Sequence, residues 1–187
     1  MLIAFAVLMR LAEPVLLGRL TNFAPMTAIA LLGGAAYARR SVALAVVLAS
    51  AAISDMLVNP ILHGIATPWY DGWYWQYLSY ALIALAGRGL ANRHSTLRVA
   101  VGGVSASLLF FVVSNFGVWA STGLYPHTTA GLTQCFMMAI PFYQATLAAD
   151  LFFSVVLFGC YSLASARLVR RGSGAVAGKG TRALASA

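Results

Sequence analysis

The chain has 187 residues, of which 61% are apolar and only 9% charged, and its mean hydropathy is +0.84. A water-soluble domain covers its surface with roughly a quarter charged residues, so this composition excludes one and points to an integral membrane protein. Twelve Lys/Arg stand against four Asp/Glu; in a chain that crosses lipid this excess reports topology and gives no reason to expect nucleic acid.

Six apolar runs follow one another, over about 2–18, 23–38, 41–58, 73–91, 97–120 and 144–166. Most approach the ~20 residues that a helix needs to cross ~30 Å of hydrocarbon. The first, MLIAFAVLMRLAEPVLLGRL, lacks the basic leader and small-residue cleavage site of a signal peptide and reads as a retained span. It carries Arg10 and Glu13, spaced to share a helix face and neutralise each other. The second run is short and opens on Asn22-Phe23-Ala24-Pro25, where Asn22 can cap and proline is tolerated in the first turn. The third ends with Asp55 and Asn59.

Before the fourth run comes PWYDGWYWQYLSY, residues 68–80, with seven aromatics in thirteen positions. Tryptophan and tyrosine collect at headgroup depth, so an aromatic belt is the plain explanation. A belt is usually shared between helix entrances; concentration on one entrance leaves room for a ligand-facing role. The fifth run ends near Asn115 and Trp119. After it, STGLYPHTTAGLTQCFMMAIPFYQ has an apolar core too short to span, and reads as a loop with a short interfacial or re-entrant helix. The sixth begins with Gln144 and carries Asp150. Residues 167–187 are basic and rich in Gly, Ala and Ser, the composition of a disordered tail. The expected fold is therefore all-α: a single transmembrane domain of six helices over residues 1–166, then the tail.

Charge orients this arrangement. Arg39, Arg40, Arg88, Arg93, Arg98, Arg167, Arg170, Arg171, Lys179 and Arg182 all fall on one side of a six-span topology. Loops 59–72 and 121–143 hold no Lys or Arg, and Arg19 is the one dissenter. Basic loops stay in the cytoplasm, so both termini are expected there.

With that orientation the polar residues gather toward the outer ends of the spans. Polar groups in lipid are costly, and their positions carry information. Interhelical hydrogen bonding explains any one of them; the one-sidedness of the set suggests a cavity open to the outside. Its candidate ligand-binding residues are Asn22, Asp55, Asn59, Asn115, Gln144 and Asp150, with Trp69, Trp73, Tyr74, Trp75, Tyr77 and Trp119 as aromatic walls. Catalytic signatures are missing, so no enzyme is expected. No metal-ligand spacing occurs: Cys135 and Cys160 lie on opposite sides of the expected bilayer, and His63, His94 and His127 fall in loops. No cofactor is expected. A phosphate-binding P-loop is absent as well, so energy for transport would come from another protein or from a gradient.

The segments NFAPMTAIALLGGAAYA (22–38), SDMLVNP (54–60), YLSYALIALAGR (77–88), SNFGVWASTGLYPHTTAGLTQCFMMAIPFY (114–143) and LAADLFFSVVLFG (147–159) resemble an uncharacterised family of bacterial six-span membrane proteins. In size and layout that family is similar to the S-components of energy-coupling-factor vitamin transporters, including the cobalamin-capturing kind. The resemblance implies capture of a small solute, such as a vitamin, from the outer side, with an ATP-driven transport module as partner. It also implies docking through an Ala-x-x-x-Ala pattern on the first span, which this chain lacks there. Two other classes stay open: a gradient-coupled carrier in which Asp55 or Asp150 takes up a proton or cation, and a non-transport scaffold subunit.

Overall fold

The computed structural model describes residues 5, 7–12, 24–64, 69, 71–91 and 95–184, with side chains described at all of these except 62, 63 and 168–184. Every regular element among them is helical. Residues 7–12 form α1; α2 is Met26–Ala36, α3 Arg40–His63, α4 Trp73–Gly87, α5 Thr96–Ser121 and α6 Thr129–Leu184. A 3-10 turn, Arg88–Leu90, prolongs α4.

Three stretches are long and apolar enough to cross a membrane, Arg40–Ile61, Thr96–Ser121 and Thr129–Arg167, and α2 is a shorter apolar helix. The surface agrees: Leu78, Leu82, Val101, Leu108, Phe152 and Val155 all stand exposed on helix faces. Such an exterior is costly in water and cheap against lipid tails, and the helices satisfy their own backbone groups.

Local chemistry sets several boundaries. Ser95 caps α5, its hydroxyl accepting from the Arg98 backbone N–H at 3.4 Å. Gly64, at φ +66°, ends α3 in the left-handed conformation that glycine adopts without penalty. The third apolar run therefore extends past 58, through Pro60, because proline removes only one of the helix's hydrogen bonds.

One expectation is corrected. No separate interfacial or re-entrant helix precedes the last span: Thr129 begins a single helix that runs on through Pro141 and residue 144. The segment winds as regular helix because α5 offers it a packing surface. Phe136 and Tyr143 meet the Phe111 ring at 5.5 and 4.8 Å, and Cys135, 2% exposed, donates to the Asn115 carbonyl at 3.3 Å. The same helix continues to Leu184, through the stretch whose composition reads as a disordered tail.

The core lies where α2 is enclosed by the longer helices. Ile29, Ala30, Leu31, Val47, Ile83 and Phe158 form its centre, all at most 3% exposed. At full burial, aliphatic side chains of this size contribute roughly 1.5–3 kcal/mol each in water, and in lipid the gain comes instead from close packing. Small residues permit that packing. A side chain at Gly34 would collide with the Ala84 carbonyl, and one at Gly87 with the Leu31 carbonyl, so α2 and α4 touch backbone to backbone. Helices α4 and α5 run antiparallel, with Trp75 against Gly117, Tyr80 against Phe110 and Leu90 against Gly102. Helices α5 and α6 do the same, pairing Asn115 with Cys135 and Gly103 with Ser154.

Candidate functional site

Asp55 faces inward from α3 and is 1% exposed. A carboxylate in that position needs partners, and it has them on both oxygens. Arg10 of α1 forms an ion pair with Oδ1 and also donates to the Ser54 hydroxyl at 3.0 Å. The Tyr77 hydroxyl, from α4, donates to Oδ2 at 2.9 Å. Arg10, expected to pair with Glu13, thus reaches 45 positions along the chain to α3; Glu13 itself lies outside the described residues.

Above this pair stand three rings. Trp73 meets Tyr77 edge-on, 5.2 Å between centroids, and Trp69 meets Trp73 at 4.3 Å. Trp69 remains 56% exposed and forms the outermost layer. Asn59 lies one helical turn beyond Asp55 on α3, hence on the same face. It is 4% exposed, and its Nδ2 has no hydrogen-bond partner among the described residues. A buried amide donor without a partner is uncommon and costs about 1–3 kcal/mol, which marks it as a group awaiting a contact.

The neighbouring aromatics do something else. Tyr74, whose ring also meets Trp73 edge-on at 6.1 Å, and Trp75 both bond the Ser121 hydroxyl, at 2.7 and 2.8 Å. Trp75 lies on the bare backbone of Gly117 and meets Phe116 at 5.2 Å. Trp119 continues the chain of rings to His127, 5.3 Å away, while its Nε1 donates to the Pro126 carbonyl at 2.9 Å. These contacts fasten α4 to α5 and to the connection that follows it. Their polar atoms are already engaged.

A small cavity of about 220 Å³ opens between α4, α5 and α6, lined among others by Gln76, Ser114, Asn115 and Tyr143. The Asn115 amide donates to its own helix, at the Phe111 carbonyl, 2.8 Å away, and Gln76 donates to the Tyr80 hydroxyl at 3.0 Å. Gln144 is exposed on the surface of α6.

Asp150 stands apart from all of these. It is fully buried on α6, and among the described residues neither carboxylate oxygen has a hydrogen-bond partner. The Ser107 hydroxyl of α5 and the Thr27 hydroxyl of α2 lie near enough to stabilise its charge, yet the Ser107 contact does not reach hydrogen-bond geometry.

The candidate residues therefore divide into groups. Asp55, Asn59, Trp69, Trp73 and Tyr77 come together; Tyr74, Trp75 and Trp119 form a packing chain; Asn115 lines the small cavity; Gln144 and Asp150 are separate. Asn22 lies outside the described residues. Sequence reading gave Arg10 only a local partner, and passed over Ser54, Ser107 and Ser154. The i, i+4 spacings Gly103–Ser107 and Asp150–Ser154 were the available signal.

Compared with known families, residues 1–173 match the model of a family of unknown function, DUF6580, and the chain belongs to that family. No curated protein matches it, and no solved structure does.

Proposed function

We propose that this member of the family captures a small, partly aromatic solute from the outer face of a bacterial inner membrane. In this reading it has six spans with both termini in the cytoplasm. It resembles an S-component in working without chemistry of its own and in handing the solute to an ATP-driven module.

The observation that carries the reading is the group around Asp55. Its rings give a flat apolar wall, Asn59 adds one buried and unengaged donor, and a pocket needs little more than such a wall with a few placed polar groups. Arg10 and Tyr77 already balance Asp55, so among the described residues these groups offer no net charge. The fitting solute is accordingly neutral or zwitterionic, with a ring to stack on Trp73 and an acceptor for Asn59 Nδ2. Aromatic pairing contributes about 0.5–1.5 kcal/mol beyond area burial, enough to make each ring measurable.

Tryptophan fluorescence of the purified, folded protein, titrated with a panel of vitamins, tests this. A saturable change is expected with one of them. Asn59→Ala should weaken it about tenfold, the scale of one polar contact, while Trp75→Phe should leave affinity unchanged because Trp75 belongs to the packing chain. Silence across the panel, in protein that still melts cooperatively, would remove the capture reading. Orientation is tested separately in a background lacking Cys135 and Cys160. A cysteine at Leu124, 72% exposed, should react with an impermeant maleimide in spheroplasts, and one at Ser41 should not.

A further inference from the structure

The capture site leaves Asp150 unused. Its two oxygens are buried at the junction of α2, α5 and α6 and, among the described residues, unpartnered. The Ser107 and Ser154 hydroxyls, both fully buried, are also unpartnered. This is unusual within the same molecule. Ser50, Ser79 and Ser114 turn their hydroxyls back to the carbonyl four residues earlier, at 2.7, 2.8 and 2.6 Å. That back-bond is the ordinary solution for a serine in an apolar helix. Ser107 and Ser154 do not use it.

Geometry brings these groups to one place. Ser154 is one turn after Asp150, and Ser107 one turn after Gly103, so the two pairs share facing sides of antiparallel helices. At Gly103 a Cβ would stand 3.3 Å from Ser154 Oγ and 3.6 Å from the Asp150 carbonyl oxygen. The absent side chain keeps the helices close there. Thr27 comes in from α2, 4% exposed. Around them Phe5, Met9, Ala28, Ala149 and Phe153 form an apolar wall.

We propose that Asp150, Ser107 and Ser154, joined by Thr27, form a binding site for a sodium ion. An uncompensated carboxylate in a low-dielectric interior costs several kcal/mol, so something must neutralise it. Among the described residues the salt bridge is Arg10–Asp55, and none reaches Asp150. A proton would neutralise the carboxylate and give it one O–H to share with a neighbouring hydroxyl. A cation draws on the carboxylate and the hydroxyls together. The donors are all oxygen, without His or Cys, which disfavours zinc and the softer metals. They carry a single negative charge, too little for the several carboxylates that a dedicated calcium site uses. A monovalent hard cation matches both counts.

The test is thermal unfolding of the full chain in detergent, at fixed ionic strength and neutral pH, with sodium replaced stepwise by choline. The melting temperature should rise with each increase in sodium and then saturate, since binding to the folded state alone stabilises it. Ser107→Ala and Ser154→Ala should each shift the sodium dependence to about tenfold higher concentration, the scale of one polar contact. Asp150→Asn should abolish it. Ser79→Ala, which removes a back-bonded serine, should leave it unchanged. If Asp150→Asn does not fold, the Ser107/Ser154 double alanine variant carries the test. Equal melting temperatures in sodium and choline, a response to pH alone, or a sodium dependence untouched in the serine variants would each overturn the proposal. The fluorescence assay of the aromatic site reads a different region, so the failure of one reading is distinguishable from the failure of the other.

Discussion

Two aspartates are buried in this helical protein, and they are held in opposite ways. Asp55 has an arginine on one oxygen and a tyrosine hydroxyl on the other. Asp150 has neither, only hydroxyls that stop short of bonding it. Burial alone therefore says little about a carboxylate in a membrane protein. At Asp55 the charge ties three helices together; at Asp150 it is an unmet demand. The first is a structural joint, and the second is an instruction to bind.

The largest effect should come from breaking the joint. Arg10→Ala leaves Asp55 buried and unpaired, which costs about 3 kcal/mol at the low end of the range for such pairs, because the Arg10 side chain retains 16% exposure. Thermal or chemical unfolding in detergent reads it. Pairing Arg10→Met with Asp55→Leu should recover much of the loss; if the double variant is as unstable as the sum of the singles, the two residues are not coupled. Next comes Tyr77→Phe. It removes one hydrogen bond to a charged group, about 2 kcal/mol, while keeping the ring against Trp73.

Asp150→Asn should go the other way. In sodium-free buffer it replaces an uncompensated charge by an amide that donates to neighbouring hydroxyls, and stability should hold or rise by about 1 kcal/mol. A loss as large as that of Arg10→Ala would erase the contrast between the two acids. Smallest is Gly103→Ala, whose added methyl presses on Ser154 Oγ at 3.3 Å and costs roughly 1 kcal/mol or less. Its sharper readout is the sodium dependence of the melting temperature, which should move while the response at the aromatic site does not.

The helices were legible because hydropathy reports lipid-facing surface directly. The fifth run, 97–120, is matched by Thr96–Ser121, and the fourth, 73–91, by Trp73–Gly87 with its 3-10 turn. Two expected bounds fell short: the third run continues past 58 through Pro60, and the last helix starts at Thr129 and passes through Pro141, because each proline interrupts a single bond of a ladder that packing sustains. The aromatic stretch was legible as a cluster and not as two. Helical spacing already separates Trp73 and Tyr77, four apart, from Trp75 beside them, and applying it would have divided the set. The Arg10–Asp55 pair was hidden because local spacing rules find only near neighbours. Ser107 and Ser154 showed only through their spacing from Gly103 and Asp150, a weak signal, since serines in apolar helices ordinarily bond their own backbone.

The last helix has a consequence for where the protein can live. The part of it that qualifies as a span, Thr129–Arg167, is a helix of 39 residues, and at 1.5 Å per residue it measures about 58 Å. Hydrocarbon is ~30 Å thick, and even a tilt of about 40° leaves the rod some 45 Å tall. Leaning cannot hide it. A turn or more of greasy helix, with Met137, Met138 and Phe142 exposed along it, has to be covered by headgroups, by a thicker bilayer or by another protein. Lipid composition thereby becomes a working condition of the molecule: short-chain bilayers would leave this mast bare, and long-chain ones would take it in.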